Sequence, residues 1–198
     1  MDTREMILEA AQAEFAAHGI DGARVDKIAK TAGVNKAMIY YHFQSKEKLY
    51  AAVIEKHVKC IGDFWEKAMV EETDAEALIR RATEYYHSMP SSVASFVPII
   101  LREIASGGTI FKNIIIKIMV ERNLISRMRQ MIDKGITDGK FRQMDSKQAM
   151  ISFLGMNIFY LLMAPFMHKV WEIDDIEKFH RERPKEIADL YLYGLLRR

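Results

Sequence analysis

An all-α fold of about nine helices is what this sequence predicts, and three observations carry the prediction. Apolar residues recur at helical spacings from end to end, with no strand-like alternation and no repeat of solenoid length. Ala, Met, Leu, Glu and Lys are abundant, and all favour helix over strand. Four prolines and ten glycines in 198 residues leave room for long helices, while 49% hydrophobic residues can fill a sizeable core.

The breaks define the elements. A first helix is expected from about Thr3 to His18, burying Ile7, Ala11 and Phe15 at spacings of four, with Gly19 as its stop. A second follows near Val25 to Thr31; Gly33 marks a tight turn, and Asn35 caps a third helix from Lys36 to about His42. Ser45 caps a fourth, Lys46 to Glu71, long enough to act as a connecting rod. A fifth spans Ala75 to Met89, and Pro90, Ser91 and Ser92 separate it from a sixth that ends before Gly107 and Gly108. A seventh, apolar almost all round at Ile114–Ile116 and Ile118–Val120, is expected to reach Lys134 at the centre of a body. The last two are Ser146 to His168 and Pro184 to Leu196, the latter with proline in its first turn. These breaks predict a head over residues 1–45 and a body over 46–198.

Between Val25 and Gln44 the order is helix, short turn, helix. Ala29 stands where two helices approach closely, Gly33 where the turn needs a permissive φ, and Ile39 where the second helix packs back. That is the spacing of a DNA-binding helix-turn-helix, but an ordinary helical hairpin would need the same residues, so spacing alone leaves both readings open. The net charge of +2 does not decide between them, but its distribution is lopsided: Arg24, Lys27, Lys30, Lys36, Lys46 and Lys48 face only Asp26 and Glu47 in one short stretch.

The surrounding residues favour the first reading. Ile28-Ala29-x-x-Ala32-Gly33-Val34, then Tyr40-x-His42-Phe43-x-x-Lys46-Glu47-x-Leu49, with Phe15 and Gly19 upstream, resembles the signature of the tetracycline-repressor (TetR) family of transcriptional regulators over about Phe15 to Leu49. Two positions depart from it: Arg24 stands where Ser or Thr is frequent, and Ala37 where glycine is frequent. The resemblance implies a helix-turn-helix DNA-binding head on a helical, dimerising, ligand-sensing body. It implies DNA contacts from Arg24, Asn35, Lys36, Ala37, Met38, Tyr40, Tyr41, His42, Lys46 and Lys48, with Tyr40 and His42 near the sugar-phosphate backbone and Lys46 and Lys48 on phosphates. For Tyr41 base contact and core packing are equally open.

The expected partners are a palindromic double-stranded operator, a small, largely apolar effector, and a second copy of the chain. Candidates for an effector cavity are Cys60, Phe64, Tyr86, Met89, Phe96, Ile100, Phe111, Ile115, Met119, Met156, Asn157 and Tyr160. Asn157 interrupts an uncharged helix, so its amide needs a ligand, a water or a partner chain. Phe153, Ile187, Leu190, Tyr191, Gly194 and Leu195 are expected at the dimer interface. Rival readings are a constitutive DNA-binding protein and, more remotely, a helical enzyme, for which no nucleophile elbow, phosphate loop or zinc-hydrolase motif is visible.

Three further expectations are negative. His57 and Cys60, three apart, lack a third ligand, so no metal or cofactor is expected and they read as a helix-face histidine beside a buried cysteine. One cysteine and a charged, amphipathic opening fit a reducing cytoplasm without a signal peptide. Ala149 to Met167 carries no charge and is about long enough to span a bilayer, but Gly155, Asn157 and Pro165 interrupt it, and no membrane partner is expected.

Overall fold

A computed structural model describes residues 2–88 and 96–195, Leu195 by its backbone alone. Among these residues the chain forms ten helices and no strand: α1 (Thr3–Gly22), α2 (Val25–Ala32), α3 (Lys36–Phe43), α4 (Lys46–Glu71), α5 (Ala75–His87), α6 (Val97–Ala105), α7 (Thr109–Glu121), α8 (Leu124–Thr137), α9 (Ser146–Val170) and α10 (Ile176–Leu195).

The tenth helix arises because the expected seventh is two. Asn123 adopts a left-handed backbone at φ 52°, which ends α7 and starts α8. Just before the break, Arg122 pairs with Asp63 at 2.5 Å and Glu66 at 3.1 Å. The isoleucine-rich α7 is not a central helix either: Ile118 is buried, whereas Ile116 and Val120 are exposed. The final helix begins before Pro184, at Ile176, because the Asp175 carboxylate accepts the Lys178 N–H at 2.8 Å and caps a turn eight residues earlier. The expected break at Pro90, Ser91 and Ser92 lies outside the described residues.

The helices divide into two compact units. One comprises the chain through Gly62 together with the segment ending at Glu121. Its core is continuous from the head into α4, α6 and α7: Ile7, Phe15, Ile28, Ile39, Leu49, Tyr50 and Ile54 join Phe96, Ile99 and Ile118. Phe15 meets Tyr50 edge to face at 4.9 Å. Gly19, at φ 66°, kinks α1, and there Arg102 of α6 donates to the carbonyls of Phe15 (3.1 Å), Ala16 (2.7 Å) and Ala17 (3.2 Å). The buried Glu103 beside it accepts the Phe111 N–H at 3.1 Å.

The other unit runs from Asp63 into α5 and takes in everything from Arg122 onward. Trp65, Leu78, Tyr86, Leu124, Ile132, Phe141, Phe153 and Tyr191 are buried in it. Gly135 is required there, since a Cβ would stand 2.5 Å from the Phe141 ring. Arg80 joins α5 to α10 through Asp189 at 2.6 Å, and the Tyr191 hydroxyl donates to the Ala149 carbonyl at 2.7 Å. By length and composition α9 would span a bilayer, with a mean hydropathy of 1.7. Ala149, Phe153, Asn157 and Tyr160 nevertheless pack into this unit, although only 17% of its apolar window is buried.

Candidate nucleic-acid interface

Local chemistry builds the head. Val25, Ile28, Ala29 and Ala32 turn one face of α2 inward. At its end Gly33 adopts φ 69°, and the Val34 N–H reaches back to the Ala29 carbonyl at 3.0 Å, closing the turn as only a residue tolerant of positive φ allows. The Asn35 side chain then accepts the Met38 N–H at 3.0 Å and starts α3, while Gln44 at φ 67° stops it. The Ser45 hydroxyl accepts the Lys48 N–H at 3.1 Å and starts α4.

Eight residues of α3 thus sort into two faces. Ile39 and Phe43 are buried; Lys36, Ala37, Tyr40 and Tyr41 are exposed, and Met38 and His42 half-buried. Tyr41, for which two roles stood open, is 79% exposed and is not a core residue. Its ring meets His42 edge to face at 5.1 Å, and His42 Nε2 is buried without a hydrogen-bond partner.

The cations are partly engaged. Lys36 pairs with Asp26 at 3.0 Å, which raises its pKa above the usual lysine value, chiefly through that hydrogen bond. Lys46 reaches the carbonyls of Asp21 and Ala23 at 3.4 and 3.5 Å, and Lys48 bonds the Gln44 side chain. Arg24 is exposed; its side chain does not cap α2, and its backbone N–H is held by the Glu14 carboxylate at 3.2 Å. Glu14 is itself buried. Burial pushes its pKa up, but Lys27 and that N–H more than offset this and hold the carboxyl below its usual value. Sequence reading missed both Glu14 and Asp26, because pairing across ten residues follows from the fold and not from helical periodicity.

The effector candidates fall into both units. In the first, Phe96 is buried and stacks on His57 at 4.1 Å; Ile100, Phe111 and Ile115 are half-buried against the core, and Met119 is half-buried. His57 is buried and bonded to Gln12 at 2.8 Å, whereas Cys60 is exposed, the reverse of the expected pairing: the two stand about 60° apart around α4, and the edge of its buried face falls between them. In the second unit Phe64 stacks on Tyr85 at 3.7 Å, and Tyr86 accepts a hydrogen bond from Trp65 at 3.2 Å. Asn157 is fully buried; its amide donates to the Phe153 carbonyl at 2.8 Å and its Oδ1 has no partner. Met156 lines an open groove of about 460 Å³ with Leu190, Tyr191 and Gly194, and Tyr160 lines a separate cavity of about 430 Å³. Met89 lies outside the described residues.

The expected interface residues also separate. Phe153, Ile187 and Tyr191 are buried within their own unit, whereas Leu190 is 62% exposed and Gly194 is exposed. Leu195 lies beyond the described side chains.

An exposed, capped short helix presented by a helix and a glycine turn, with Lys36 at its start and Lys46 and Lys48 just beyond its end, has the form of a helix-turn-helix. Residues 7–53 match the family described as bacterial regulatory proteins, tetR family. The chain is 42% identical over 88 residues to the HTH-type transcriptional repressor SCO4008 of Streptomyces coelicolor, covering 44% of each chain. It spans less than half the length of the first curated relatives it matches, 44% and 39%. Among solved structures it resembles the TetR-family transcriptional regulator PfmR of Thermus thermophilus (TM-score 0.71, 25% identity, 96% and 99% of the two chains). The transcriptional regulator FadR of Bacillus subtilis, solved with stearoyl-CoA, has the same fold (TM-score 0.71, 19% identity, 96% and 98%).

Proposed function

We propose that this protein is a cytoplasmic, dimeric transcriptional repressor whose head, residues 1–45, binds a palindromic operator and whose body, 46–198, dimerises and binds a small effector that releases the DNA. The observation that carries this reading is the exposed face of α3, where Lys36, Ala37, Tyr40 and Tyr41 stand clear of a core closed behind them by Ile39 and Phe43. α4 is the proposed lever, since it starts at the end of α3 and continues unbroken from Lys46 to Glu71. Two half-sites lie roughly 34–36 Å apart, so a shift of a few ångströms between heads suffices to spoil binding.

The test is fluorescence anisotropy with DNA from upstream of the protein's own reading frame and with random duplex. Lys48→Ala is expected to weaken both DNAs alike and to flatten the salt dependence by about one charge. Lys36→Ala, once Asp26 gives up the amine, is expected to cost roughly 1–3 kcal/mol on the preferred site and little on random DNA. Equal affinity of the unaltered protein for both DNAs, or a full-strength operator complex in the Lys36/Tyr41 double alanine variant, refutes the reading.

A further inference from the structure

We propose that the cavity formed by the C-terminal half of α9, the connection after it and the start of α10 binds an organic carboxylate with an apolar body, its charge held by Arg183. Phe159, Trp171 and Phe179 wall the cavity, Met167 and Ile173 add aliphatic surface, and the volume, about 430 Å³, is that of a small-molecule site. Only Tyr160 among the residues singled out from sequence reaches it.

Arg183 is the anomaly. Its guanidinium lies 4.1 Å from the centre of the Tyr160 ring and 5.5 Å from that of Phe179, and its Nε is buried without a hydrogen-bond partner. Among the described residues no carboxylate comes within ion-pair distance of it, whereas Arg80, Arg81 and Arg122 each have two. The other ionisable groups gathered at Tyr160 are imidazoles: His87, His168 and His180 lie with ring centres 5.6, 6.0 and 5.8 Å away. None of them brings a negative charge. Arg183 is half-buried and burial lowers the guanidinium's pKa, yet an arginine does not give up its proton at neutral pH, so the cost of desolvating its buried Nε side remains until an anion arrives.

The walls decide which anion. Inorganic phosphate would leave the rings of Phe159 and Trp171 facing water, whereas a carboxylate on an aryl or alkyl body covers them and matches the guanidinium fork. An aromatic cage of this kind suits a quaternary ammonium when its face is free. Here Arg183 already lies on that face, so a cation would meet a like charge.

Trp171 lines the cavity and is 73% exposed, so its fluorescence reports occupancy. The full-length protein is titrated with 3-phenylpropionate and octanoate and, in parallel, with their uncharged amides at constant ionic strength. The acids are expected to titrate saturably and the amides at least roughly tenfold more weakly. Arg183→Met is expected to abolish that preference while melting at or above the temperature of the unaltered protein, because it removes an uncompensated cation. Arg183→Lys, which keeps the charge without the fork, is expected to fall between them.

Acids and amides that titrate alike, or a preference that survives in Arg183→Met, overturn the proposal. So does the absence of titration by any acid, including the case in which Arg183→Met converts a dimer to monomers and so places the missing anion on a second copy of the chain. The site is argued from the cavity alone, and only its use as an effector site rests on the regulator reading. Because the titrations contain no DNA, failure here leaves that reading standing, and failure of operator binding leaves this one.

Discussion

Ile39 and Tyr41 are two positions apart on α3 and end on opposite faces, one fully buried and one 79% exposed. Their alanine variants should therefore fail in different assays. Ile39→Ala is expected to cost about 2–5 kcal/mol in urea denaturation, since it leaves a cavity in a closed core. Tyr41→Ala is expected to leave stability within about 0.5 kcal/mol and to weaken operator binding instead. A destabilised Tyr41→Ala protein would contradict the exposed placement of the ring. His57 carries a pH dependence. Burial, with a contribution from Lys56, pushes its pKa down to about 4 from 6.5. The unfolded chain then binds a proton that the folded chain refuses, so stability is complete above 6.5 and is lost as pH falls toward 4, by at most about 3 kcal/mol. His57→Gln should remove that share of the slope and leave the similar one from His87, which burial also lowers to about 4. Equal slopes in the two proteins would rule out a neutral buried His57.

At the scale of elements, α6 holds α1 through one side chain. The three carbonyls that accept from Arg102 belong to the turn of α1 just before it kinks at Gly19, where the backbone turns to φ 66°. Arg102→Met is expected to cost about 1–3 kcal/mol, the range for charge-assisted hydrogen bonds, and to speed amide exchange around the Gly19 kink while leaving α3 unchanged. Unaltered exchange there would show that the kink is held by packing alone. No periodicity announces such a contact: Arg102 and Phe15 are 87 residues apart, and Arg102 reads in sequence as one more polar residue on a short helix.

For the whole molecule, the apolar surface left on α9 and α10 argues for a second copy of the chain. Ile151, Phe166, Leu190 and Tyr193, outside the Arg183 cavity, are all more than half exposed. Along α10, Ile187 and Tyr191 close their own unit, whereas Leu190 and Tyr193 stay exposed. Replacing both Leu190 and Tyr193 by Glu is expected to give monomers in sedimentation with unchanged helical content. A dimer that survives both charges would place the interface elsewhere.

The sequence by itself determined the helical class and the turn between α2 and α3 with its caps. Gly33, Asn35 and Ser45 act on neighbours within five residues, so their turn and caps are written locally and were legible at that range. Tertiary structure decided the rest. The break at Asn123, the early start of α10, the inward turn of Phe153 and the engagement of Lys36 by Asp26 each depend on which residues meet across the fold. So does the isolation of Arg183, since a cation without a carboxylate is recognisable only once its surroundings are closed. Helical periodicity names the apolar face of a helix but not what covers it, because burial is a property of the assembled chain and spacing is a property of the local one.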